Sequence, residues 1–153
     1  MSSGPRLEFA FELQVTVALP MELGPTAGGR RRVIPITGGT FQGPRLSGRI
    51  VPGGADWQVV REDGMAELTA RYTIEAADGT LIGVLNRGIR RGPPEVLRKL
   101  AAGEPVDPSS YYFRTAFQFE PPDGPHAWLS QSIFVGAGER RAAAVLIRVF
   151  ELV

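Results

Sequence analysis

The sequence predicts an all-β protein: an antiparallel β-barrel of about eight to ten strands with one short helix. Three observations predict it. The first is a strict period-two alternation near the start, the second is a pair of Asp-Gly turns between alternating segments, and the third is that only one stretch carries helical spacing.

Between Leu7 and Leu19 the odd positions are Leu7, Phe9, Phe11, Leu13, Val15, Val17 and Leu19, with Glu8, Glu12, Gln14 and Thr16 among the even ones. Side chains alternate faces along a strand, so this pattern places one apolar row on one side. At ~3.3 Å per residue such a strand would reach ~40 Å if straight, and a strand that long curls around a barrel, often through a bulge. Gly38-Gly39 then precedes a segment through Phe41, Leu46, Ile50 and Val51, which Gly53-Gly54 is expected to end. Asp56 to Arg61 follows as a strand, Asp63-Gly64 leads into Met65 to Glu75, and Asp78-Gly79 leads into Thr80 to Arg90. Gly accepts positive φ and Asp tolerates it, so each Asp-Gly marks a hairpin, and two in succession make a meander.

Pro94 suits the first helical position, Val96, Leu97, Leu100 and Ala101 fall on one face, and Gly103 supplies the stop. About two turns of helix suit a plug or lid over one barrel end. Three strands complete the chain: Tyr111 to Phe119, Ala127 to Val135, and Ala142 to Leu152, with Pro121, Pro122 and Asp123-Gly124 turning between the first two. Regular strands with turn signals argue against a parallel α/β sheet, and closure removes the edges that long strands would expose.

The 153 residues fit a single domain spanning 1–153. An apolar content of 43% with 22% charged residues is that of a folded globular chain. Seventeen basic and sixteen acidic residues leave a net charge of +1, which is no electrostatic footprint for nucleic acid or an anionic membrane. Without cysteine, disulfides, zinc ribbons and thiol nucleophiles are excluded. The opening Met-Ser-Ser-Gly-Pro-Arg lacks a secretory pattern, and no apolar run approaches the ~18 residues of a membrane span, so a cytoplasmic location is expected. Sixteen of the seventeen basic residues are Arg, and Lys99 is the single Lys. Arg presents a planar fork suited to carboxylates and phosphates, although GC-rich codon usage gives the same bias.

The ordered series Gly38-Gly39-Thr40-Phe41, Gly43-Pro44, Gly53-Gly54-Ala55-Asp56-Trp57, Ala70-Arg71-Tyr72, Asp78-Gly79, Asn86-Arg87-Gly88, Tyr112-Phe113-Arg114-Thr115 and Trp128-Leu129 resembles a bacterial and fungal family. That family is domain of unknown function 3237, also called uncharacterised protein family 0311, and the match runs from about Leu7 to the end. The resemblance implies a lipocalin-like barrel that self-associates as a homo-oligomer, a dimer. Some members of the family sit in small-molecule pathways, which implies a modest-sized organic ligand.

Several residues invite a chemical reading. Glu67, Thr69, Arg71 and Thr73 alternate with Leu68, Ala70, Tyr72 and Ile74. Either the polar row meets solvent, as antiparallel sheets allow, or Arg71 and Glu67 enter a polar lumen, where Arg71 needs an anionic partner. Asp56 caps a turn, or it serves as a general base beside Trp57 with its pKa raised by a drier setting. Motif resemblance makes it the first choice for a catalytic carboxylate. Tyr112 and Arg114 lie on the face opposite the largely aromatic row Tyr111, Phe113, Thr115, Phe117 and Phe119. With Arg87, Arg114 would form a cationic clamp for a carboxylate or enolate oxygen, or pair with an acidic residue. Trp128 walls a pocket or packs at a subunit interface. The single histidine, His126, cannot build a His-cluster metal site, and neither a metal nor a cofactor is expected.

The leading functional expectation is an interior that binds a small organic carboxylate or polyketide-like molecule, with Trp57, Arg71, Tyr72, Arg87, Tyr112, Arg114 and Trp128 as ligand-binding residues. The rival is a cofactor-independent isomerase, cyclase or lyase in which Asp56 moves a proton and arginines steady an oxyanion. A third possibility is a structural assembly protein whose aromatic faces make subunit contacts.

Overall fold

A computed structural model describes residues 4–153; Met1 to Ser3, the start of the opening segment judged non-secretory, lie outside the described residues. The strands are β1 (Leu7–Val17), β2 (Met21–Thr26), β3 (Gly29–Gln42), β4 (Ser47–Val60), β5 (Ala66–Ala76) and β6 (Leu81–Arg91). Helix α1 (Pro94–Ala101) follows, then β7 (Tyr112–Glu120), β8 (Ile133–Arg140) and β9 (Ala144–Leu152). Strands β3 to β9 pair antiparallel in sequence order, β9 pairs with β1, and β1 returns to β3. That last pairing closes an eight-stranded barrel, and β2 is an extra strand hairpinned onto β3.

The alternation in β5 and β7 maps directly onto the barrel wall. Ala66, Leu68, Tyr72, Ile74 and Ala76 point in, as do Phe113, Thr115, Phe117 and Phe119, while the residues between them face out. In β1 the alternation is broken. A register shift between Phe9 and Phe11 turns Ala10 and Phe11 inward and leaves Leu7 and Phe9 exposed. One extra residue in a strand reverses every side chain beyond it, which is why the long apolar row occupies two faces.

Three expectations about elements are corrected. Gly53-Gly54 does not end a strand: β4 runs unbroken from Ser47 to Val60 through a bulge between Val51 and Ala55, where Gly53 takes φ +117°. A glycine pair gives the same local signal whether it turns the chain or bulges it. The segment before Phe41 also belongs to a strand, because β3 begins at Gly29 and bends in the region of Gly38-Gly39. A Cβ on Gly39 would lie 2.0 Å from the Gln14 carbonyl oxygen, so glycine there lets β1 and β3 close the barrel. Finally, Ala127–Ser130 is a 3₁₀ turn and not the start of a strand; β8 begins at Ile133.

One half of the interior is dry. Phe11, Leu13, Ile50, Ile74, Ile82, Phe134 and Val149 are almost wholly buried there, with Phe117 stacked on Phe119 at 5.1 Å between ring centroids. Each such side chain contributes roughly 1.5–3 kcal/mol by leaving water. The other end is capped by α1. Pro94 opens it, Leu100 packs with Ala66, Leu68, Tyr111 and Phe113, and the Gly103 amide hydrogen-bonds the Leu100 carbonyl as the helix stops. Between the dry half and this cap lies a polar layer.

Candidate functional site

The polar layer is built by strand parity. Cross-strand pairs share a face, so Asp56, opposite Ile34 and Ala70, points inward, as does Gln58, opposite Arg32 and Leu68. In β6 the inward row continues from Ile82 and Val84 to Asn86 and Arg90, and in β7 it places Thr115 among phenylalanines. Arg140 comes from the last residue of β8, its own backbone amide donating to the Tyr111 hydroxyl at 2.9 Å.

A cavity of about 590 Å³ opens to solvent between α1, the β1–β2 connection, the β4–β5 turn and the β8–β9 turn. Its rim carries both signs of charge, with Glu62, Asp63 and Glu104 against Arg98 and Arg141. Its deeper wall carries Arg32, Arg90 and Arg140. Arg90, Arg140 and Ile34 also line a smaller inner chamber of about 50 Å³, which reaches Asp56, Tyr72, Asn86 and Thr115.

A short hydrogen-bonded chain orients the carboxylate. Arg32 Nε donates to Gln58 Oε1 at 2.6 Å, and Gln58 Nε2 donates to Asp56 Oδ2 at 2.8 Å. Because the guanidinium can only donate, it fixes which end of the Gln58 amide faces Asp56. Asp56 Oδ1 is sealed from solvent and bonded to no protein group. Burial pushes the Asp56 carboxyl above the usual carboxylate range, against the opposing pull of Gln58, Arg90, Arg32 and, most weakly, the Thr69 backbone. Burial likewise lowers Arg90 to about 10, with the positive charges of Arg32 and Arg140 adding to the fall and Asp56 opposing it. Arg140 moves down for the same reasons, burial first. Tyr72, fully enclosed and near Asp56, is pushed up and stays a neutral phenol. Three guanidinium groups thus surround one buried carboxylate, and Arg32 also lies 3.9 Å from the exposed Glu22 Oε1.

Of the eight residues singled out from sequence, the structure brings Asp56 and Tyr72 together in this interior. The expected inward convergence of Arg71, Arg87 and Arg114 is corrected: all three are exposed on the outer face, because each alternates with an inward residue (Tyr72, Asn86 and Thr115). Arg87, Tyr112 and Arg114 share a shallow exterior groove with Arg148, and Arg91 and Arg114 lie 4.5 and 5.6 Å from the Tyr112 ring. Trp57, 47% exposed, and Arg71 line a separate outer hollow. Trp128 sits in the 3₁₀ turn, half-buried against Phe134, with the Arg45 guanidinium 3.8 Å from its ring centroid. Asp63 and Asp78 are hairpin residues as expected, accepting from the backbone amides of Met65 and Thr80 at 3.0 Å each. His126 lies in its loop with Nε2 2.9 Å from Asp78 Oδ2.

Sequence reasoning passed over Gln58, Asn86, Arg90, Thr115, Arg32 and Arg140. Four of them carried a readable signal. Thr115 interrupts an aromatic row, Asn86 and Arg90 extend the row of Ile82 and Val84, and Gln58 shares its parity with Asp56. A polar residue within an apolar row is the mark of a buried polar site, whereas a polar residue in a polar row marks solvent.

Residues 5–152 match the family model described as "Protein of unknown function (DUF3237)". A UPF0311 protein of Rhodopseudomonas palustris is 41% identical over 150 residues, covering 97% of this chain and 98% of the relative. Among solved structures, a conserved protein of unknown function from Rhodopseudomonas palustris superposes with a TM-score of 0.95 at 40% identity, covering 99% of this chain and all of that one. A β-barrel-like protein from Acinetobacter baumannii gives 0.87 at 42% identity, covering all of this chain and 99% of that one. With the match running almost end to end on a shared closed barrel, this chain belongs to the DUF3237, or UPF0311, family.

Proposed function

We propose that the barrel binds a small, partly apolar organic acid in its interior, with the carboxylate held by Arg32, Arg90 and Arg140. The observation that carries this reading is the convergence of three guanidinium groups on the inner wall of one 590 Å³ cavity, where, among the described residues, Asp56 is the one buried carboxylate near them and Arg32 alone also reaches the exposed Glu22, at 3.9 Å. Buried like charges repel and are costly to desolvate, so an anion seated among them relieves both penalties. Guanidinium forks match a carboxylate in geometry, and Ile34, Val60, Leu97 and Leu100 supply an apolar wall for the rest of the molecule.

The test is calorimetric titration with benzoate and hexanoate at low and moderate salt. Arg90→Gln and Arg140→Gln each weaken binding by about 10- to 100-fold, the worth of a charge-assisted hydrogen bond. Arg71→Ala, Arg87→Ala and Arg114→Ala, on the outer face, leave it unchanged. Binding that survives the interior changes but is abolished by the exterior ones would overturn the proposal.

A second reading is favoured by the state of Asp56. One carboxylate oxygen is held by Gln58, the other is free, and the pKa is raised beside Arg90. Such a group exchanges a proton with a bound molecule while a guanidinium steadies the oxyanion that forms, which is the equipment of a cofactor-independent isomerase, cyclase or lyase. With any turned-over acid, Asp56→Asn removes most of kcat and abolishes the acidic limb of the pH profile; an unchanged rate excludes Asp56 as the base.

A further inference from the structure

Among the described residues, six buried side-chain atoms have no protein hydrogen-bond partner: Asp56 Oδ1, Tyr72 OH, Asn86 Oδ1, Arg90 Nε, Thr115 Oγ1 and Arg140 Nη1. All six residues line the same inner chamber. Buried polar groups are nearly always partnered, so a gathering of all the exceptions at one place marks what that place is built to hold. The six divide by chemistry. The two arginine nitrogens stand where the chamber meets the outer cavity and can only donate. The other four atoms belong to residues that line the chamber but not the outer cavity.

Those four specify a functional group. Asn86 Oδ1 accepts, and Asp56 Oδ1 accepts when ionised, so a partner must donate; the Tyr72 and Thr115 hydroxyls donate or accept, and a partner that does both engages them in either sense. A carbonyl, ether or second carboxylate cannot donate, and an ammonium would bring a further positive charge beside Arg90 and Arg140. A hydroxyl donates and accepts. The chamber volume of about 50 Å³ exceeds the ~10–15 Å³ that admits one water, so a hydroxyl on the tip of a ligand fits. Around it the wall is apolar, through Val15, Ile36, Leu68, Ala70, Phe113 and Ile147. We infer that the ligand is a hydroxy acid: its carboxylate stops at Arg90 and Arg140, and its hydroxyl passes between them into the chamber of Asp56, Tyr72, Asn86 and Thr115. This rests on the organic-acid reading above and adds the second polar group and its direction.

The experiment compares matched acids, 4-hydroxybenzoate against 4-fluorobenzoate and 4-hydroxyphenylacetate against phenylacetate, by calorimetry on the full chain. Wild type binds the hydroxy acid of at least one pair tenfold or more tightly, because a site whose polar groups are left unpaired rejects the analogue that lacks the hydroxyl. Thr115→Val and Tyr72→Phe each reduce that preference to less than threefold while holding affinity for the fluoro or unsubstituted acid within threefold. The two changes are close in shape and independent, so one remains informative if the other fails to fold. Equal binding within both pairs, with Arg90→Gln still weakening it tenfold or more, overturns the hydroxyl inference and leaves the carboxylate reading standing. A preference that persists through both substitutions also overturns it, since the hydroxyl then lies elsewhere. If wild type binds none of the four acids, the inference falls together with the reading beneath it.

Discussion

Replacing Arg90 with methionine is expected to make the protein more stable. Arg90 is only 9% exposed, its Nε has no protein partner, and burial together with the charges of Arg32 and Arg140 lowers it from 12.5 to about 10. At about 1.4 kcal/mol for each tenfold change in proton affinity, that fall corresponds to a penalty of about 3 kcal/mol for keeping the group charged in the folded chain. The group is protonated in both states at pH 7, so the penalty is present in full there and lifts only as pH rises through about 10. Methionine has similar length and bends to fill an irregular space. That penalty is already net of the attraction to Asp56, so the change further forfeits only the contact of the guanidinium with the Phe113 ring, 5.7 Å away, worth about 0.5–1 kcal/mol. The expected net gain is about 1–3 kcal/mol, because Asp56 keeps Arg32 and Arg140 and is not left as an uncompensated buried charge. For a chain of this length it appears as a rise of roughly 2–12 °C in Tm. Urea unfolding at pH 7 measures it, with the slope of the transition checked for constancy. A loss of 1 kcal/mol or more at constant slope would refute the reasoning, because the attraction of Arg90 to Asp56 would then outweigh its desolvation. A gap between variant and wild type that fails to narrow near pH 10 would refute it on separate grounds.

Two further outcomes follow from the same layer. The raised Asp56 carboxyl holds its proton more tightly in the folded chain than in the unfolded one, so its contribution is fully present below about pH 4 and is lost as pH rises through its folded pKa. The stability of Asp56→Asn relative to wild type therefore grows from about pH 4 upward, read from urea midpoints at pH 4, 5, 6 and 7; a difference that stays flat with pH contradicts the burial of this carboxyl. Gly136→Ala places a Cβ 2.4 Å from Thr115 Oγ1, 2.8 Å from the Phe117 ring and 2.9 Å from Ile147 Cγ2. Such overpacking costs about 1–3 kcal/mol in the same assay, and a neutral or stabilised variant would show that the layer yields.

The strands on either side of the Asp-Gly turns were legible because two local rules agreed. Alternation set which residues share a face in β5 and β7, and Asp63 and Asp78 tie down their turns through adjacent amides. Legibility failed where one signal serves two structures. Gly53-Gly54 looks like the end of a strand and is a bulge inside one, and Ala127 to Ser130 has the composition of a strand yet winds into a 3₁₀ turn. Asp56, singled out from its motif, lies in the buried polar layer, but the arginines chosen to accompany it belonged to the outward rows.

From the chain alone come the all-β class, the meander, the capping helix and the relative facing of neighbours within each strand, since these depend on contacts a few residues apart. Which row faces inward at a polar position is a different matter, and it decided the site. Arg114 and Thr115 differ by one residue and by the whole thickness of the wall; only closure of β1 onto β3 and β9 converts that parity into inside and outside. The meeting of Arg32, Asp56, Arg90 and Arg140 draws on β3, β4, β6 and β8, and no local rule reports a distance across a barrel.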